Sequence, residues 1–214
     1  MRIKFEEQLA KLNDSLINMG NMVKEAISNA DKALIEKDTE LAKKVIASDD
    51  EIDQKEREIE KLCLKIIMQQ QPVARDLWLI SSVLKTVSDL ERIGDHASDI
   101  SEITLHLADT KYRKNLEHIS QMAEVTMEMV VKSIDSFVKK DQALANEVIA
   151  CDDRVDDLFK TVKKDSLELI SKDVNNGDQA IDLIMIAKYF ERIGDHATNV
   201  AEWVIFSLTG QYKV

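Results

Sequence analysis

Apolar residues recur at helical spacing along nearly the whole chain, with acidic residues and lysines between them. Steps of three and four residues put apolar side chains on one face of an α-helix. The first such series comprises Leu9, Leu12, Leu16, Met19, Val23, Ile27 and Leu34. The pattern predicts amphipathic helices that pack against one another around an apolar core.

Interruptions of this pattern mark the predicted helix ends. Asp38 is a candidate N-cap for a helix over about 39–70, because its carboxylate can accept hydrogen bonds from the first free amide groups. Pro72 suits the first turn of the next helix, which continues to about residue 107. Residues 109–114 are predicted to form a linker.

The second half of the chain repeats these marks and many residues between them. Asp141 corresponds to Asp38, and a second break over 174–178 contains Gly177. The heptapeptide E-R-I-G-D-H-A occurs at 91–97 and again at 191–197. Upstream of it, Asp49, Asp50 and Asp53 align with Asp152, Asp153 and Asp156. Glycine, aspartate and histidine at matching places indicate an internal duplication, which a plain coiled coil would not explain.

The duplication predicts the fold class and the domains. We expect an all-α protein of six long helices, arranged as two tandem, similar three-helix bundles. The first bundle is predicted to span residues 1–108 and the second residues 109–214. Composition agrees, because the 214 residues include only five Gly and one Pro, too few for the turns of an all-β protein.

Charge and cysteine usage narrow the possible functions. Lys and Arg number 29 against 40 Asp and Glu, and a net charge of −11 argues against binding the phosphate backbone of nucleic acids. Cys63 and Cys151 form no CxxC pair, so we expect reduced thiols packed as small apolar side chains. Residues 1–10 carry acids where a secretory leader would be apolar, so we expect no leader, and the longest apolar run, over 77–87, is interrupted by Lys85. We expect a cytoplasmic protein that meets a membrane only through its partners.

The repeated heptapeptide begins a stripe of acids along one face of its helix. Residues three or four positions apart share a helix face. The first stripe comprises Glu91, Asp95, Asp99 and Glu102, and the second Glu191, Asp195, Asn199 and Glu202. Neighbouring like charges destabilise a helix unless a cation compensates them. Repetition of the stripe favours a cation site over the alternative interpretation, a solvated acidic face.

Antiparallel folding about the two breaks adds acids from the preceding helix. In the first bundle it brings Asp49 and Asp53 level with the stripe, and in the second it brings Asp152 and Asp156 level. Clustered oxygen ligands suit Mg²⁺, Mn²⁺ or iron, and several carboxylates can bridge more than one ion. These four aspartates and the eight stripe residues are the predicted metal ligands.

Two further residue types recur beside the acids. Gly94 and Gly194 each cost a helix about 1 kcal/mol relative to alanine. A tight helix crossing and close approach of a bound ion are both compatible with them. His96 and His196 lie off the stripe, so we expect them to pack or to hydrogen-bond rather than to bind metal.

These motifs resemble the PhoU family of phosphate-transport accessory and regulatory proteins. The resemblance rests on E-R-I-G-D-H-A in both halves, with D-D-E-I-D over 49–53 and D-D-R-V-D over 152–156, and it covers essentially the whole chain. It implies multinuclear metal binding, with iron foremost and manganese, zinc or magnesium as alternatives, and frequently a homodimer. It also implies a negative regulator that connects the ATPase subunit of the phosphate ABC transporter to the sensor histidine kinase of phosphate-starvation genes. Asn199, which replaces Asp99, leaves open whether the two sites bind the same ions.

Two alternative functions belong to other classes. One is a carboxylate-bridged metalloenzyme, an oxidase or a phosphohydrolase, and the other is a purely structural helical scaffold. Ferritin-like oxidase sites usually include Glu-x-x-His, which neither Glu91 nor Glu191 offers. No nucleophile with an adjacent base is evident in the sequence. We therefore expect a protein that is not an enzyme.

Overall fold

The computed structural model describes residues 2–108 and 116–211, and the predicted linker over 109–114 lies outside them. The described residues form six long α-helices and one short 3-10 turn over Val174–Asn176. The helices are α1 Arg2–Glu36, α2 Thr39–Gln70, α3 Arg75–Leu107, α4 Glu117–Lys139, α5 Gln142–Lys172 and α6 Gly177–Thr209. The all-α fold class with six long helices is confirmed.

The two predicted N-caps are present. Asp38 Oδ1 accepts hydrogen bonds from the amides of Glu40 and Leu41, at 3.1 and 2.9 Å. Asp141 Oδ1 makes the matching pair with Ala143 and Leu144, at 2.9 and 3.1 Å. Each carboxylate thereby satisfies amides that have no partner within the first helical turn.

The start of α3 differs from the prediction, because Pro72 lies in the connection and the helix begins at Arg75. Gln71 closes α2 in the left-handed conformation, at φ 48°, with its amide bonded to the Ile67 carbonyl. Ala74 also has a positive φ, 49°, and its carbonyl accepts from the amide of Trp78. Residues with positive φ therefore flank the proline, and the one at Ala74 separates it from the start of α3.

The two bundles pack side by side. Helices α1, α2 and α3 contact one another, α4, α5 and α6 do the same, and α3–α6 and α1–α4 contacts join the halves. Helix α3 runs antiparallel to α6, since Trp78 lies 6.3 Å from Phe206 between ring centroids and His96 lies 5.6 Å from His196. Buried apolar side chains from all six helices form one continuous core. Each bundle thus packs two of its helices against the other bundle, α1 and α3 in the first and α4 and α6 in the second.

Both cysteines pack against the core, and the described helices include no candidate membrane span. Cys63 is buried, Cys151 is partly buried against the core, and both are free thiols. None of the helices described combines the length and apolar character that crossing a bilayer needs.

Candidate metal centre

Helices α2 and α3 bring three carboxylates together near the middle of the first bundle. One oxygen each from Asp53, Glu91 and Asp95 lies within 4.8 Å of the others. Asp53 comes from α2 and the other two from α3, one helical turn apart. The antiparallel hairpin therefore builds from two helices a group that neither could build alone.

Asp49 lies one turn before Asp53, beside this group of three, and its Oδ1 is buried. This atom has no hydrogen-bond partner. Burial first, then repulsion from Asp95, Asp53, Asp50 and Asp99, raises the pKa of Asp49 from 3.8 to about 6. A buried, unpartnered carboxylate oxygen is costly, and a bound cation would satisfy it. The first cluster therefore fits a hard metal ion.

Glu91 is also affected by burial in this cluster. Burial, followed by repulsion from Asp95, raises the pKa of Glu91 from 4.5 to about 7, against the opposing attraction of Arg92. Arg92 reaches both acids from the solvent side, at 3.5 Å from Glu91 Oε2 and 2.8 Å from Asp95 Oδ2. Arg57 pairs with Asp53 at 2.7 Å, so two arginines face the four carboxylates of Asp49, Asp53, Glu91 and Asp95.

Gly94 allows α2 and α3 to approach at this level. A Cβ added to Gly94 would lie 3.0 Å from Ile52 Cδ1 and 3.3 Å from Asp49 Oδ1. At the same place in the second bundle, a Cβ on Gly194 would lie 3.5 Å from Asp152 Oδ1. In both bundles the glycine faces the first aspartate of the motif, so the tight helix crossing and the carboxylate cluster share one location.

The second bundle places the corresponding acids on α5 and α6 close enough to repel one another, but among the described residues only the first bundle brings three carboxylate oxygens within 4.8 Å of one another. Burial, then repulsion from Asp195, Asp156 and Glu191, raises the pKa of Asp152 from 3.8 to about 6. The pKa of Asp195 is raised by burial and by Glu191. Lys188 forms an ion pair with Glu191 in this cluster.

The remaining predicted ligands lie around the α3–α6 contact. Asp99 Oδ2 lies 3.3 Å from His96 Nδ1, and Asn199 donates to Asp89 across the contact at 3.1 Å. Glu102 and Glu202 are exposed. Glu202 lines a cavity of about 330 Å³ at the α3–α6 contact, together with Lys85, Ser88, Asp89, Arg92, Asn199 and Trp203. Asp99 also raises the pKa of Asp49, with a smaller effect than burial and the repulsion from Asp95, Asp53 and Asp50.

The two motif histidines hydrogen-bond and pack, as predicted. Their rings lie 5.6 Å apart at the centre of the α3–α6 contact. His196 Nδ1 lies 2.8 Å from Asp89 Oδ1, and Trp203 donates its indole N–H to Asp89 Oδ2 at 3.1 Å. Asp89 thus accepts bonds from three side chains of α6, counting Asn199.

Comparison with known proteins gives a result that agrees with this geometry. The model of the PhoU domain matches residues 16–104 and, a second time, residues 119–204. This chain belongs to the PhoU domain family. The two matches fall one on each half, in keeping with the duplication of the helices and of the acidic motif.

Individual PhoU relatives cover nearly the whole chain. The phosphate-specific transport system accessory protein PhoU homolog of Clostridium acetobutylicum is 37% identical over 97% of this chain and 95% of its own length. The homolog of Aquifex aeolicus is 39% identical over 89% of this chain and 86% of its own. Their names describe accessory proteins rather than enzymes, which agrees with the expected absence of catalysis.

Solved PhoU structures share the whole architecture. PhoU from Pseudomonas aeruginosa superposes with a TM-score of 0.92 at 34% identity, over 97% of this chain and all (100%) of that chain. The phosphate transport system regulatory protein PhoU from Streptococcus pneumoniae gives 0.90 at 27% identity, over 98% of this chain and 99% of that chain. The tandem three-helix bundle is therefore the fold of solved PhoU proteins as well.

Three residues important to the site in this PhoU chain were not among the predicted ligands. Glu56 lies beside the first cluster, where burial chiefly raises its pKa and Ser88 donates to it at 2.9 Å. Asp89 holds the α3–α6 contact, and Lys188 lies in the second cluster. The hairpin register could have indicated Glu56, and the three-residue spacing from Lys188 to Glu191 could have indicated their ion pair.

Proposed function

We propose that this chain is an accessory and regulatory protein of a phosphate-specific transport system. Support comes from the two PhoU domain matches and from relatives named for that role over most of the chain. More specifically, the protein acts as a negative regulator of phosphate uptake and of phosphate-starvation genes. It does so as a cytoplasmic homodimer that connects the transporter ATPase subunit to the sensor histidine kinase.

Metal binding at the doubled motif is the second part of the proposal. The observation that carries it is the buried, unpartnered Oδ1 of Asp49, beside the three carboxylates of Asp53, Glu91 and Asp95. These four residues would hold the ions of the first cluster, and Asp152, Asp156, Glu191 and Asp195 would hold those of the second. Iron is the leading metal, with Mn²⁺, Zn²⁺ or Mg²⁺ as alternatives.

Bound cations would shape the protein rather than supply a reaction. They would neutralise repelling acids of two helices and so fix the distance between α2 and α3, and between α5 and α6. The surface that these hairpins present to a partner would then depend on metal loading. This links the acidic motif to an adaptor function.

Affinity purification of the tagged protein from phosphate-replete cells tests both parts. We expect the transporter ATPase subunit and a sensor kinase among the bound chains, and metal in the same eluate by elemental analysis. The variant Asp53→Asn with Glu91→Gln should lose metal, and its matched control is Glu102→Gln, which changes an exposed stripe acid outside the clusters. Purification of the wild-type protein with neither partner enriched over an untagged strain would contradict the adaptor function.

A further inference from the structure

The two carboxylate clusters share four acids but differ at two positions next to the motif glutamate. Glu56 of the first bundle is replaced by Phe159, and Ser88 is replaced by Lys188. In the first cluster Ser88 Oγ donates to Glu56 at 2.9 Å. The second cluster therefore has one carboxylate fewer and one ammonium more than the first.

Lys188 is held against the second cluster by two contacts. Its ammonium pairs with Glu191, and the lysine side chain is 37% exposed while that of Glu191 is 15% exposed. The same ammonium lies over the ring of Phe159, 5.6 Å from the centroid. Phe159 itself packs against the apolar core. Phe159, which stands where the first bundle has Glu56, therefore also contacts the Lys188 ammonium.

The cations of the first cluster are held differently. Arg92 and Arg57 pair with its acids, but their side chains are 60% and 63% exposed. Exposed ion pairs contribute little free energy, so a metal ion can displace them at small cost. These arginines also leave Asp49 Oδ1 without a partner, whereas Asp152 Oδ1 lies 3.5 Å from the Thr198 hydroxyl.

We infer that Lys188 is a built-in cation of the second cluster, so that this cluster binds fewer metal ions than the first. The inference rests on the proposed metal binding and assigns different roles to its two sites. An ammonium paired with Glu191 Oε2 competes with a metal ion for this carboxylate, both for that oxygen and for its negative charge. The first cluster, with Glu56 as an additional oxygen donor, is the metal-rich site, and the second is partly neutralised by the chain itself.

Metal content per chain tests this inference. The full-length protein is loaded with Fe²⁺ under anaerobic conditions, desalted and measured by plasma mass spectrometry. Asp53→Asn with Glu91→Gln disables the first cluster, and Asp156→Asn with Glu191→Gln disables the second. We expect the first pair of substitutions to remove more iron than the second pair.

Substitutions of Lys188 in the protein with the first cluster disabled test its role directly. Lys188→Ser should raise the iron content by about one ion per chain, because it frees oxygens of Glu191 for a metal ion. Lys188→Arg keeps the positive charge and should leave the iron content low. Conversely, Ser88→Lys in the protein with the second cluster disabled should lower the iron content.

Two results would overturn the inference while leaving metal binding intact. One is equal loss of iron in the two disabled proteins. The other is unchanged iron content on Lys188→Ser, in a protein whose circular dichroism and thermal unfolding match those of its parent. If that variant does not fold, Lys188→Met, which keeps an extended side chain over Phe159, takes its place in the same comparison. Wild-type protein that retains no iron and no Mn²⁺ would instead refute the proposed metal binding itself.

Discussion

Two glycines determine how closely the paired helices approach beside the acids. The space at Gly94 is tighter than the space at Gly194, since a Cβ would lie 3.0 Å from Ile52 in the first case and 3.5 Å from Val155 in the second. Alanine normally stabilises a helix by about 1 kcal/mol relative to glycine. Only at position 194 is this gain available without displacing a neighbour.

The two glycine substitutions should therefore have different effects on stability. Gly194→Ala is expected to raise the free energy of unfolding by up to about 1 kcal/mol. Gly94→Ala is expected to gain less or to destabilise, because Ile52 must shift. Urea unfolding of the metal-free proteins measures both changes. An equal gain for the two variants would show that the first crossing is not sterically limited.

The raised pKa values of the cluster acids predict a pH dependence. Folding raises the pKa of Asp49 to about 6 and that of Glu91 to about 7, so the folded state binds protons more tightly than the unfolded state. The free energy of unfolding that this proton binding contributes is fully present below the unfolded pKa values of 3.8 and 4.5. It is lost as the pH rises through the folded values of about 6 and 7.

Glu91→Gln should reduce this loss of stability at high pH, because glutamine does not ionise. In chelator-treated protein, we expect the variant to gain stability relative to wild type as the pH rises from 5 to 8. Chemical unfolding across that range, with exposed Glu102→Gln as the control, measures the difference. A difference between variant and wild type that stays constant from pH 5 to 8 would contradict the charge repulsion derived for Glu91.

Between elements, Asp89 is the main polar link of the α3–α6 contact. Its carboxylate, only 14% exposed, accepts hydrogen bonds from His196, Asn199 and Trp203. Asp99 is the natural comparison, because it bonds to His96 on its own helix and is 39% exposed. Comparing substitutions of the two aspartates therefore distinguishes the effect of hydrogen bonds between the bundles from that of a hydrogen bond within one helix.

Asp89→Ala should destabilise the protein by about 2 kcal/mol, since it removes charge-assisted bonds and leaves the α6 donors without an acceptor. Asp99→Ala should cost clearly less. Thermal and urea unfolding of both variants in the metal-free state provide the comparison. Equal effects of the two substitutions would mean that Asp89 does not hold the bundles together.

The sequence predicted those features of the helices that depend on residues close together in the chain. Asp38 and Asp141 cap helices because side chain and amides are close in the chain. The meeting of Asp53 with Glu91 follows from the hairpin, whose short turn fixes the register of two helices. The bond between Asp89 and Trp203 was not predictable, because it depends on how two bundles cross, and helical periodicity does not specify that angle.

The helix start after Pro72 shows a second limit. Proline is compatible with a first helical turn, but Gln71 and Ala74 adopt positive φ values around it and delay the helix to Arg75. The reversed backbone at these two positions has no sequence signal comparable to a glycine. A local rule was therefore correct about the break and wrong about which residue begins the next helix.

For the whole molecule, duplication supplies two similar bundles that share one core but not one charge distribution. The net charge of −11 includes both clusters, and Lys188 partly neutralises only the second. Cations bound at the first cluster would reduce the excess of negative charge at one place on an otherwise acidic surface. Partners that meet the two bundles would then meet surfaces of different charge.

Transcription of phosphate-starvation genes in phosphate-replete cells tests the proposed regulation most directly. A reporter strain lacking the gene is compared with strains that carry the wild-type protein or the Asp53→Asn, Glu91→Gln variant at equal abundance. We predict high expression without the protein, repression by the wild-type protein and weaker repression by the variant. Expression that stays low in the strain lacking the gene would contradict a negative regulatory function.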